Sequence, residues 1–95
     1  MKKVDFGKCF LDFKGGSIDS ATMSDELSKA LFSAGSPGLP IENEDKYRAY
    51  KISTKLISQD GVIDVSDDDV SFLKKFCMLA FTAGAYGQIV ELIEK

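Results

Sequence analysis

An α+β domain, mainly helical, with an N-terminal β-hairpin followed by about four helices is what this sequence predicts. Three observations carry that expectation. An aromatic stretch near the start is broken by a glycine pair ("FLDFKGGSI"). Apolar residues then recur at helical spacing between capping residues. Near residue 60, "QDGVIDVSDDDV" closes one helix and opens another with three aspartates.

Residues 4–18 read as the hairpin. Gly15 and Gly16 can take the positive φ angles of a tight two-residue turn. Alternation puts Val4, Phe6 and Phe10 on one side and Cys9, Leu11 and Phe13 on the other. A two-stranded ribbon is marginal alone, so it must lean on helices.

The first helix is expected over about 23–34. Thr22 with Asp25, or Ser24, supplies its cap, and Gly35 stands where a left-handed terminator belongs. Leu27, Ala30, Leu31 and Ala34 form its apolar stripe. "SPGLP" is a connector, because each proline lacks an N–H and restricts the residue before it.

A second helix spans about 42–58, with Glu42, Glu44 and Asp45 at its start and Lys51 and Lys55 toward its end, matching the helix dipole. Ala49, Ile52, Ser53 and Leu56 line one face, with Tyr50 and Ile57 beside it. Val62 and Ile63 suggest a short extended segment. The third helix runs over about 66–82 and is apolar nearly all round in its second half, so burial from more than one direction is expected. Gly84 and Gly87 suggest a break before a last helix at about 86–94. No repeat, low-complexity segment or second domain interrupts residues 1–95, and this length suits one domain.

The acidic corner invites comparison with the calcium loop of an EF-hand. Such a loop needs oxygen ligands at positions 1, 3, 5, 9 and 12 around a glycine at 6. With Gly61 at position 6, Asp60, Asp64 and Asp67 fall at 5, 9 and 12 as metal candidates, and Ser58 falls at 3. Position 1 is Leu56, which offers no side-chain oxygen, and Asp67 would replace the long bidentate glutamate. Ser66 and Asp69 meanwhile make a capping box, and Val65 and Val70 have the spacing of a hydrophobic staple. The aspartates are thus explained as helix-closing residues, and a degenerate calcium-responsive module is the weaker alternative.

Composition narrows the function classes. Hydrophobic residues make up 44% and charged residues 28%, as in ordinary folded domains. A net charge of −3 argues against a general nucleic-acid binder. The first residues lack the apolar core of a secretion signal, and the longest apolar run, Phe76 to Tyr86, is too short for a membrane span. Cys9 and Cys77 read as reduced thiols, which places the protein in a cytoplasm.

Catalytic signatures are missing. The chain has no histidine, so the usual general base and most zinc constellations are gone. Neither cysteine has a helix start or cationic cluster in its sequence neighbourhood to activate it. The expectation is a non-enzymatic protein with no cofactor, no catalytic residue and no small-molecule substrate.

Two surfaces remain. Lys46, Arg48, Lys51 and Lys55 form a basic stripe that could meet phosphate, although without evident aromatic interleaving, and it supports the alternative of a small nucleic-acid-associated regulator. The surplus of apolar side chains in the third and last helices points instead to association, with Phe72, Met78, Leu79, Phe81 and Leu92 as candidate contacts. A homo-oligomer, most simply a symmetric dimer, or another protein partner is expected.

The order "VDFGK…LDFKGGSI", "KYRAYKISTKLI", "DGVIDVSDDDVSFLKKF" and "AYGQIVELIEK" resembles small open reading frames of tailed-phage and prophage genomes. The resemblance covers nearly the full length and includes no catalytic motif. It implies an accessory or assembly protein of unknown function acting in the host cytoplasm, and it assigns no functional residue.

Overall fold

A computed structural model of the protein describes residues 1–94, and for Ala21 the backbone alone. Strand β1 (Lys2–Asp5) is followed by β2 (Cys9–Leu11), β3 (Ser17–Thr22), helix α1 (Met23–Phe32), helix α2 (Lys46–Ser58), strand β4 (Val62–Val65), helix α3 (Asp67–Ala80) and helix α4 (Ala83–Glu94). The fold is α+β and mainly α.

The hairpin lies further along the chain than residues 4–18. Its arms are β2 and β3, while β1 leaves to pair antiparallel with β4. The reason is visible in the register. Val4 stands opposite Ile63, both buried, whereas Lys3 opposite Asp64 and Asp5 opposite Val62 face outward. Pairing Val4 with Ile63 buries two β-branched side chains on one face. The alternation is otherwise as expected: Val4, Phe6 and Phe10 are buried, and Leu11 and Phe13 are exposed.

The turn is also longer than two residues. Asp12 N–H donates to the Gly16 carbonyl and Gly15 N–H to the Asp12 carbonyl. The Asp12 carboxylate accepts from the N–H groups of Lys14 and Gly16, both at 2.9 Å. Gly15 alone takes a positive φ (+87°). The aspartate side chain therefore closes the loop that a glycine pair was expected to close.

Thr22 caps α1 by accepting from Asp25 N–H at 3.1 Å. Helix α2 begins later than residue 42, because Asn43–Asp45 forms a separate 3-10 turn after Glu42, whose side chain makes no capping bond. Helices often tighten in this way where the end is poorly capped. The end of α2 is well defined. Gly61 N–H reaches back to the Leu56 carbonyl at 2.8 Å, with Asp60 in the left-handed region at φ +52°. This is the six-to-one bond of a Schellman terminus.

Helix α4 starts at Ala83 instead of 86, so Gly84 and Gly87 lie inside it. The break falls at Phe81, which is extended, and at Thr82, whose carbonyl accepts from Tyr86 N–H at 2.8 Å. Gln88 on α4 then acts as a surrogate strand for the hairpin. Its carboxamide oxygen accepts from Leu11 N–H at 2.8 Å, and its Nε2 donates to the Leu11 carbonyl at 3.0 Å. One amide thereby satisfies an edge residue of β2.

Phe6, Leu27, Leu31, Leu56, Ile63, Leu73 and Ile89 form the centre of one continuous core shared by both β ladders and all four helices. Helices α1 and α2 make the most extensive helix contact, where buried Ser24, Ser28 and Ser53 let the backbones approach.

Candidate interaction surface

The acidic corner is built from backbone geometry. The Gly61 carbonyl accepts from Phe6 N–H at 2.7 Å, and a Cβ at Gly61 would lie 2.8 Å from the Gly7 nitrogen. Asp60 is the left-handed residue before it, Asp64 faces outward opposite Lys3, and Asp67 is the exposed first residue of α3. The three metal candidates are thus spread over a turn, a strand and a helix start. Among the described residues, no three His, Cys, Asp or Glu side chains group in a way that could hold a metal ion.

Asp69, in contrast, is fully engaged. Ser66 Oγ accepts from Asp69 N–H at 3.1 Å, and the Asp69 carboxylate accepts from Ser66 N–H at 3.1 Å, completing the capping box. The same carboxylate pairs with Arg48 at 2.6 Å. Burial works to raise its pKa. The hydrogen bonds from the Ser66 backbone and the Arg48 guanidinium outweigh burial and hold the carboxyl below its ordinary range.

The apolar candidates separate into two groups. Phe72 is buried at 8% exposure and stacks on Phe76 at 5.8 Å, so it is a core residue and not a surface contact. Phe81 turns in against Phe10 at 6.4 Å, and Leu92 packs half-buried on the core. Phe81 follows the last turn of α3 and Leu92 lies on α4, so both belong to the packing around the end of α3 and not to its outer face. Met78 (65% exposed) and Leu79 (49%) remain at the surface.

A further exposed apolar assembly lies on the outer side of α2. Tyr47, Tyr50 and Ile57 are each half or more exposed, and with exposed Thr54 they recur at steps of three, four and three residues. That spacing draws a straight seam along a helix. Tyr47 and Tyr50 stack at 6.4 Å, and Phe32 of α1, 69% exposed, joins Tyr50 at 6.4 Å. Phe32 and Ile57 both line an open groove of about 780 Å³ between α1 and α2, with Ser28 and Ser53 between them.

Lysines flank the seam. Lys51 Nζ lies 5.0 Å from the Tyr47 ring centroid, within cation–π range. Lys51 and Lys55 share a cleft with Arg48 and Asp69, while Lys46 lies over Gly35 on the other flank and Lys29 borders the groove. Among the described residues, Lys29, Lys46, Lys51 and Lys55 form no ion pair. The basic stripe is therefore divided, with Arg48 neutralised and the lysines free, and the aromatic interleaving discounted from the sequence is present.

Compared with known proteins, the chain matches no family model, no curated protein and no solved structure.

Burial pushes the Cys77 thiol up to about 12, so no thiolate forms there near neutral pH. Among the described residues, no helix is long and apolar enough to cross a membrane. The sequence signal for the seam was legible as the 47, 50, 54, 57 spacing. The stripe Ala49, Ile52, Ser53 and Leu56 lies on the opposite side of α2 and is the buried one.

Proposed function

We propose that this protein is a non-enzymatic interaction module, of the accessory or assembly kind its phage-like sequence implies, which docks a protein partner through the outer face of α1 and α2. One observation supports the reading above the others. Four large apolar side chains, Phe32, Tyr47, Tyr50 and Ile57, stand exposed along one face instead of scattered over the surface. Contiguous patches of this kind mark interaction sites, and tyrosine is among the residues that dominate binding energy at their centres.

The test compares the wild-type chain with a Tyr47→Ala, Tyr50→Ala, Ile57→Ser variant, whose altered positions are exposed enough to leave folding intact. Light scattering measures mass against the 10.4 kDa of the single chain, and immobilised protein captures partners from the producing cell. Self-association or capture that the variant loses supports the reading. A monodisperse monomer that captures nothing, or association indifferent to the variant, refutes it.

A second reading, contact with single-stranded nucleic acid, draws on the same tyrosines beside Lys51 and Lys55, since bases stack on aromatic faces next to cations. It requires a salt-sensitive gel shift that Lys51→Glu with Lys55→Glu abolishes. No shift at low salt dismisses it.

A further inference from the structure

We infer that the partner of the α1–α2 face is an amphipathic helix of another protein, with apolar residues at three-four-three spacing and acidic residues along its flanks. This deepens the interaction reading above and rests on it. The shape argument comes from α2 itself. Tyr47, Tyr50, Thr54 and Ile57 repeat with the period that lets one helix mesh with another, and Phe32 extends the seam across the groove. An extended strand or a flat surface would not use that periodicity, whereas a helix laid along a groove does.

Charge selects among helices. Lys46 and Lys29 border the seam on the α1 side and Lys51 and Lys55 on the other, and none of these four is ion-paired among the described residues. Flanking positions of this kind set partner choice through opposite charge. Asp25 and Glu26 stand at the groove end near Ile57 and Ser58 and Glu44 stands beside Tyr47, so the partner's acidic flank belongs along the middle of the seam, opposite Lys51 and Lys55.

The two rival occupants fit less well. A second copy of this face offers acidic groups only at the ends of its seam, Asp25 and Glu26 beside Ile57 and Glu44 beside Tyr47, and sets lysines against lysines along the middle. Nucleic acid meets Asp25, Glu26 and Glu44 around the face, finds Arg48 already neutralised by Asp69, and gains no stacking from Ile57.

The experiment uses designed helical peptides of about four turns, matched to the length of α2. One carries apolar residues at the stated spacing with glutamate flanks. A second has the same seam with lysine flanks, and a third is a scrambled control. Each contains one tryptophan, and because the protein has none, the emission reports the peptide alone. A labelled oligothymidine is the nucleic-acid probe. The glutamate-flanked peptide is expected to bind at least about tenfold tighter than its lysine twin, and to weaken as salt rises. Lys51→Glu with Lys55→Glu should erase or reverse that preference, and Tyr50→Glu should remove binding of both peptides. Circular dichroism confirms that each variant is folded.

Equal binding of the two peptides overturns the charge assignment. Absence of peptide binding, combined with self-association that Tyr50→Glu abolishes, makes a second copy the occupant. That result overturns this inference while the interaction reading stands. Oligothymidine binding without peptide binding overturns both.

Discussion

Ser28 on α1 and Ser53 on α2 bond to one another in both directions. The Ser28 hydroxyl donates to the Ser53 carbonyl at 3.1 Å, the Ser53 hydroxyl donates to the Ser28 carbonyl at 3.0 Å, and the two oxygens lie 3.0 Å apart. Ser24 adds a contact to the Leu56 carbonyl at 3.3 Å. Small hydroxyl side chains thus set the separation of the two helices whose outer face carries the exposed seam.

If closeness matters more than the hydrogen bonds, substitutions at Ser28 should divide sharply. Ser28→Ala leaves the Ser53 hydroxyl its carbonyl partner and should cost at most about 1 kcal/mol in urea unfolding. Ser28→Leu must force the helices apart and should cost roughly 1–3 kcal/mol, as overpacking does. Equal costs would contradict the account.

Two glycines should respond in opposite directions. Gly61 sits at φ +87° with backbone of Gly7 2.8 Å from where a Cβ would be, so Gly61→Ala should destabilise by about 2 kcal/mol or more. Gly87 lies within α4 with nothing within 4 Å of that position. There, Gly87→Ala should stabilise by roughly 0.5–1 kcal/mol, the ordinary helical gain. Thermal melts of both variants decide the matter.

Stability should depend on Asp69 in a defined direction of pH. Its folded pKa lies below the ordinary 3.8, so the stabilisation is complete well above that value and is lost as pH falls through the lower, folded one. Asp69→Asn removes the charge. It should cost about 1 kcal/mol at neutral pH, with the gap to wild type narrowing below about pH 4. A gap that widens in acid would refute the assignment.

The two thiols should differ in reactivity. Cys77 is fully buried with its pKa pushed up to about 12, whereas Cys9 is half-buried on β2. A thiol reagent at neutral pH should modify Cys9 alone in the native protein and both cysteines in urea. Rapid native labelling of Cys77 would show that the α3–α4 packing opens.

Several elements were legible because their information is local. The capping box of Ser66 and Asp69, the Thr22 cap and the Gly61 turn depend on residues within a few positions of one another, and each is where the sequence predicts it. The α2 seam is equally legible as a spacing, yet periodicity alone does not say which of two stripes faces solvent. Phe72 illustrates the same limit. It was expected at a surface and stands in the core, because α3 is apolar on several sides and its neighbours choose which are covered.

By itself, the sequence determined the mainly helical α+β class, the starts of α1 and α3 and the acidic side chains that close the latter, since caps act over a single turn of chain. Only the tertiary structure decided that β1 joins β4 across nearly sixty residues, that Gln88 completes the edge of β2, and that Arg48 pairs with Asp69 while, among the described residues, Lys46, Lys51 and Lys55 form no ion pair. Those choices follow from which buried surfaces fit together, and packing of that kind has no signature in any short stretch of chain.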